Sequence, residues 1–206
     1  VLHVDDDPSF ADLTATFLER EGESFVVEIS MSADEGLERL ATDTFDCIVS
    51  DYDMPGKNGI EFLESVRDEY PNIPFILFTG KGSEEVASDA ISAGVTDYLQ
   101  KEGGSDQYAI LANRIRNNVE RTRAQRERRR QLDAIETAQE GISILNEAGR
   151  FIYVNKSYAE LYGYEPDEMK GEHWKLIYRD NNIERIRDEI LPEVEQTGYW
   201  HGETTG

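Results

Sequence analysis

The chain has a single cysteine, Cys47, among 206 residues. A lone thiol excludes an internal disulfide and any cysteine-based zinc or iron–sulfur centre, and it fits a reducing cytoplasm. Basic side chains are scarce too: 21 Lys and Arg stand against 43 Asp and Glu, a formal net charge of -22. A field of that sign repels phosphate backbones and anionic membrane surfaces, so nucleic-acid binding by this chain is not expected. No apolar run approaches the ~18 residues a membrane span needs. Val1 to Asp7 lacks the basic stretch followed by an apolar one that marks an export signal.

Leu, Ile, Val and Phe number 49 of 206 residues. That share clears the roughly 20% below which a highly charged chain stays unfolded. At roughly 100 to 150 residues per domain, two small domains are expected. The excess of carboxylates lowers stability by self-repulsion unless salt screens it, which fits a salt-rich cytoplasm of the halophile kind. An ordinary acidic signalling protein is the alternative, favoured by a melting temperature that does not rise with salt.

Residues 1 to 104 alternate short apolar runs with amphipathic stretches, the pattern of a parallel sheet covered by helices. Strands are read at Val1 to Val4, Phe25 to Ser30, Cys47 to Asp51, Pro74 to Thr79 and Asp97 to Gln100. Helical spacing falls on Ser9 to Glu21, Ala33 to Thr42, Asn58 to Glu69 and Glu84 to Ala93. A strand beginning at the first residue, with no Met and no lead-in, suggests a chain trimmed at its start.

Ser105 to Glu140 contains neither Gly nor Pro, which permits one helix of roughly 54 Å at about 1.5 Å per residue. Tyr108, Leu111, Ile115 and Val119 are spaced to pack on the preceding domain. Arg114, Arg116, Arg121, Arg123, Arg126, Arg128, Arg129 and Arg130 follow, so that the rest of the chain has 13 basic and 41 acidic residues. Such a run reads as a solvated face, or as a surface for an acidic partner or a second copy of the chain. The seam near Thr122, Gln125 and Arg129 is polar, a poor basis for a coiled coil.

Beyond Glu140 the sequence reads as a hairpin, Gly141 to Asn146 and Phe151 to Asn155, turning at Glu147 to Arg150. Helical segments follow at Lys156 to Tyr164, Pro166 to Lys170 and Asn182 to Glu195, then a strand starting at Tyr199. Ending in mid-sheet at Gly206, this second domain looks truncated.

In open parallel sheets ligands sit at the carboxyl ends of the strands, where strand order reverses. Those ends hold Asp5, Asp6 and Asp7 after strand one, Asp51 and Asp53 after strand three, Thr79 and Gly80 after strand four, and Lys101 after strand five. Packed carboxylates raise one another's pKa unless a hard cation compensates, and Mg²⁺ is held by one or two carboxylates with waters and phosphoryl oxygens. Asp5 and Asp6 suit that role. Asp51 is then a nucleophile toward phosphorus, with the cation and Lys101 offsetting charge on the phosphoryl oxygens and Thr79 donating a hydrogen bond. Each residue alone has an ordinary reading: Asp7 or Ser9 caps a helix, and a Thr or Lys at a strand end is usually surface. Their occurrence at four successive strand ends carries the assignment.

The stretches VLHVDDDP, SDYDMPGKNG, ILFTG and DYLQK resemble, in order and spacing, the receiver domain of two-component response regulators, over residues 1 to about 122. The resemblance implies a flavodoxin-like α/β fold, a five-stranded parallel sheet of order 2-1-3-4-5 with flanking helices. It implies that Asp51 is the phosphoacceptor, supplied by a histidine kinase. It adds the backbone carbonyl of Asp53 to Asp5, Asp6 and Asp51 as ligands of Mg²⁺ or Mn²⁺. Thr79 and Lys101 would contact the phosphoryl group, and Tyr98 would report phosphorylation to the surface of helix four, strand five and helix five. Lys101 is followed by Glu102 where the family usually has Pro, which puts the cis peptide common there in question. Phosphatases of the haloacid dehalogenase type share an Asp-x-Asp like Asp51-Tyr52-Asp53. Their acidic pair follows that motif, however, whereas Asp5 and Asp6 precede it.

LDAIETAQEGISILNEAGRFIYVNKSYAELYGYEPDEMKG resembles the start of a PAS domain, an α+β fold. The division expected is a receiver at 1–122, a helical linker at 123–136 and a partial PAS domain at 137–206. Trp174 stands near where a flavin-photoadduct domain needs Cys, which excludes that photochemistry. His173, near a helix start, reads as a surface or capping residue and not a haem ligand, and His3 and His201 suggest no metal site. Trp174, Tyr162 and Tyr153 either line a pocket or fill the core. The PAS ligand is unidentified and none is required; a homodimer through linker and PAS domain is one expectation. With the acidity of the chain, the resemblance points to a haloarchaeal receiver–PAS signalling protein or the sensory front of a histidine kinase.

Overall fold

The computed structural model describes residues 1–22, 25–80 and 84–204. The chain divides into two compact units, Val1–Arg126 and Glu127–Gly206.

In the first unit five strands, β1 (Leu2–Val4), β2 (Glu28–Ser30), β3 (Ile48–Ser50), β4 (Phe75–Thr79) and β5 (Asp97–Gln100), alternate with α1 (Pro8–Arg20), α2 (Ala33–Thr42), α3 (Gly59–Glu69) and α4 (Glu84–Ser92). Helix α5 (Asp106–Glu136) follows. All strand pairs are parallel and the order is β2-β1-β3-β4-β5. Strand β1 lies between β2 and β3, so the chain leaves it in one direction and returns past it in the other. That reversal opens a crevice at the carboxyl ends of β1 and β3.

The period-2 geometry of the strands divides their side chains between two cores. Leu2, Val4, Ile48, Phe75 and Leu77 meet Leu40 of α2, Phe62 and Val66 of α3 and Ala90 of α4. Cys47, Val49, Ile76 and Phe78 meet Leu18 of α1 and Tyr108, Leu111 and Ile115 of α5. Because both faces are covered, the inner strands are continuous apolar runs, and every residue of β4 is buried. The helices start where their caps dictate. Asp7 accepts hydrogen bonds from the amides of Ser9 and Phe10, with Pro8 in the first turn; Ser32 caps α2; Asn58 and Glu61 form a capping box on α3.

The second unit holds an antiparallel hairpin, β6 (Ser143–Leu145) with β7 (Phe151–Val154), then α6 (Lys156–Tyr162) and α7 (Pro166–Met169). A 3₁₀ turn at Trp174–Ile177 leads to α8 (Asp180–Arg185), a π-helical stretch at Ile186–Ile190, and α9 (Leu191–Thr197). The single helix expected at Asn182 to Glu195 is therefore widened in its middle. Pro192 explains why: it has no amide hydrogen and its ring crowds the carbonyl of Asp188 four residues back. Phe151, Val154, Met169, Trp174, Ile186 and Ile190 form the core. Asn155 is buried with every polar atom used: its amide nitrogen donates to the carbonyls of Ile135 and Glu140, and its oxygen accepts from the amides of Ile142 and Tyr158.

Three expectations are corrected. Residues 199–204 form no strand, for no described residue pairs with them in a sheet. The second strand is shorter at its start, Phe25 to Val27 lying outside it. The long helix ends at Glu136, ahead of the Glu140 expected.

Candidate functional site

Asp5 follows β1 and is buried, Asp6 beside it is exposed, and Asp51 follows β3 and is buried. Each offers a carboxylate oxygen, and these oxygens lie within 4.8 Å of one another. The set is able to hold a metal ion. Burying carboxylates this close together is unfavourable unless a cation balances them. Lys101, after β5, supplies one: its Nζ is 2.8 Å from Asp5 Oδ2 and 3.2 Å from Asp51 Oδ1. The second approach is close enough for an ion pair, but its angles admit no hydrogen bond. Among the described residues Asp51 Oδ1 is thus a buried oxygen without a hydrogen-bond partner. A buried lone pair of this kind, beside two further carboxylates, fits a hard cation or an incoming electrophile.

The remaining parts are placed by the sheet. Register pairs Thr79 of β4 with Gln100 of β5, and the amide of Lys101 donates to the Thr79 carbonyl at 2.8 Å. Thr79 is buried at the end of its strand. Asp53 is exposed, in the segment between β3 and α3. Tyr98, on β5 opposite Leu77, is partly buried against the core beneath α4, and loss of solvent raises its phenol pKa. The described residues contain no cis peptide, so the bond between Lys101 and Glu102 is trans.

Three residues surround the site that the sequence reading did not assign to it. Phe10 of α1 lies under the lysine, its ring centroid 4.1 Å from Lys101 Nζ, and it packs on Phe78 at 5.7 Å. The ring face attracts the ammonium and confines it over the carboxylates. Gly59 opens α3 so close to Asp51 that a Cβ there would clash with the Asp51 carbonyl oxygen. His3, two residues before Asp5, is fully buried with Nδ1 3.3 Å from the Val49 carbonyl; burial lowers its pKa against the attraction of Asp5. Only Gly59 carried a sequence signal, standing next to the Asn58 cap.

In the second unit Trp174 is buried in the core and Tyr162 packs against it. Tyr153 bonds Glu136 through its hydroxyl at 2.8 Å. His173 caps the 3₁₀ turn, accepting from the amide of Lys175 at 3.3 Å.

A doubly wound sheet of order 2-1-3-4-5 with an acidic crevice at its reversal point is the receiver fold. The family model of the response regulator receiver domain matches residues 1–112, and the chain belongs to that family. A PAS domain model matches residues 129–197. Among curated proteins the chain is 30% identical over 129 residues to the nitrogen assimilation regulatory protein NtrX of Azorhizobium caulinodans, covering 62% of the chain and 28% of that protein. It is 27% identical over 156 residues to the bacterioopsin transcriptional activator of Halobacterium salinarum, covering 68% of the chain and 23% of that protein. The chain thus spans about a quarter of the length of these relatives. Among solved structures, the CheY-like receiver domain protein of Methanospirillum hungatei is similar with a TM-score of 0.55 and 29% identity, over 60% of this chain and 95% of that one. No described helix is long and apolar enough to cross a membrane.

Proposed function

We propose that this chain is a phosphorylation-dependent switch in a phosphorelay, in which Asp51 accepts a phosphoryl group from a histidine kinase. The observation that carries the reading is the buried Asp51 Oδ1, without a hydrogen bond among the described residues and set 3.2 Å from Lys101 Nζ within the carboxylate cluster. A carboxylate oxygen of Asp51 forms the new bond to phosphorus as the phosphorus–nitrogen bond to the donor imidazole breaks. Lys101, which pairs with Asp5 and lies over the Phe10 ring, holds a phosphoryl oxygen in this reading, and Thr79 donates to another. Asp5, Asp6, Asp51 and the Asp53 carbonyl would hold Mg²⁺ or Mn²⁺, which when bound neutralises charge on the phosphoryl oxygens.

In this reading the receiver spans 1–122, residues 123–136 link it to a PAS module at 137–206, and Tyr98 and Thr79 change position together on phosphorylation. Helix α5 carries the change onward. The relatives' names, regulators of transcription and of nitrogen assimilation, support a regulatory parent protein; the Halobacterium relative and the charge of -22 support a salt-rich cytoplasm.

The test is intact mass after incubation with a small-molecule phosphodonor and Mg²⁺, for the wild type and Asp51→Asn. One added phosphoryl group, absent in the variant and without Mg²⁺, is the expected result. Addition that survives Asp51→Asn would place the acceptor elsewhere.

A further inference from the structure

The arginines of α5 fall into two groups. Arg114 pairs with Asp97 at 3.0 Å, Arg116 stacks over Phe25 at 5.6 Å, and Arg123 reaches Asp46 at 2.9 Å. Among the described residues Arg121, Arg126, Arg128, Arg129 and Arg130 have no ion-pair partner. Every residue from 123 to 134 is exposed. A helical stretch uncovered on all sides, with five arginines against only Glu127 and Asp133, gains nothing from packing and strains against its own repulsion.

Pairing this stretch in parallel with itself does not relieve that. Arg121, Gln125, Arg128 and Leu132 recur at spacings of four, three and four, which makes one stripe along the helix. In a parallel, in-register pair that stripe would set Arg121 and Arg128 against their own copies. The complement lies elsewhere on the same molecule. Between α3 and α4 runs a groove of about 420 Å³ lined by Tyr52, Ile60, Glu61, Glu64, Asp89 and Ala93, with no Lys or Arg among the described residues of its wall. A nucleic acid would offer phosphates to the arginines but meet the 41 carboxylates in the rest of the chain.

We propose that the exposed arginines of α5 are an interaction surface for a second copy of this chain, docking on the carboxylates of its α3–α4 face. Guanidinium forks match carboxylates in pairs. If each copy gives its helix and receives the other's, the contact closes as a two-fold dimer. The seat adjoins Tyr52, next to the acceptor Asp51, so the contact joins the linker of one copy to the acceptor segment of the other.

Sedimentation velocity on the 206-residue chain, at the lowest salt where circular dichroism shows it folded and again in molar NaCl, tests this. The expected result is a dimer at low salt whose association weakens as salt rises but is still measurable in molar NaCl, the condition nearer a salt-rich cytoplasm. Arg121→Glu/Arg128→Glu/Arg129→Glu and Glu64→Lys/Asp89→Lys should each weaken it by about tenfold or more. An equimolar mixture of the two variants should associate again, since reversed helix meets reversed groove. A wild type that is monomeric at low salt, a dimer indifferent to either reversal, or a mixture no tighter than its components would overturn the proposal. So would a monomer that binds a DNA duplex through the same arginines.

Discussion

The Lys101 ammonium, after the last strand of the receiver sheet, lies 2.8 Å from Asp5 Oδ2, after the first. The pair is well shielded, with side-chain exposures of 16% and 1%. Removing one member of a buried pair leaves the other charge uncompensated. Here the lysine pairs with two buried carboxylates, so Lys101→Met should cost about 3 kcal/mol in chelator. Mg²⁺ should restore more stability to the variant than it adds to the wild type. Urea unfolding with and without Mg²⁺ measures both; an equal Mg²⁺ effect would mean that the ion and the lysine do not act on the same carboxylates.

The strand ends were legible because each chemical residue stands where an apolar run stops: Asp5 after Val4, Asp51 after Ser50, Lys101 after Gln100. What was illegible depends on contacts across the fold. Phe10 looks like any apolar residue on α1, and its place under Lys101 exists only once α1 packs beside Phe78. The absence of a strand at Tyr199 has the same origin, whereas the π-helical stretch follows from Pro192, a signal the sequence itself carries. Local pattern states what a segment prefers, while partners decide what it becomes.

Gly59→Ala reverses a usual rule. At a helix position Ala is ordinarily better than Gly by about 1 kcal/mol. At position 59 the added methyl would clash with the Asp51 carbonyl oxygen and stand 2.8 Å from Leu77 Cδ1. The start of α3 must move away from the Asp51 segment, at a cost of about 2 kcal/mol. Chemical denaturation gives the sign directly, and slower phosphorylation of the variant would show that the acceptor moved too.

Cys47 is fully buried, and burial pushes its thiol from an ordinary 9.0 up to about 12. The unfolded chain releases this proton near pH 9 and the folded chain does not, so the unfolded state binds fewer protons above pH 9. The stability linked to this group is therefore fully present below pH 9 and lost as pH rises toward 12. The slope is about 1.4 kcal/mol per pH unit over that window. Cys47→Ala should flatten the alkaline limb of the stability curve relative to the wild type. The same burial predicts that a thiol reagent at neutral pH labels Cys47 only through unfolding, which makes labelling rate a check independent of the pH curve.

In the second unit Asn155 holds together three segments that the hairpin alone does not join. Its amide donates to the carbonyls of Ile135 and Glu140, at the end of α5 and just beyond it; its oxygen takes the amides of Ile142, before β6, and Tyr158, in α6. Asn155→Leu would leave two backbone donors and two acceptors without this partner, and buried groups left so cost about 1 to 3 kcal/mol each when water does not reach them. Some relaxation is expected at the edge of the unit, so the net loss should be about 3 kcal/mol. Asn155→Asp keeps the acceptor and loses the donor, and should fall between the two. Hydrogen exchange distinguishes a local effect from a general one. The amides of Ile142 and Tyr158 should exchange faster in the Leu variant, while those of Val49 and Ile76 in the receiver core keep their protection. Unchanged protection at Ile142 and Tyr158 would mean that the hairpin and α6 are held by the Phe151 and Trp174 core alone.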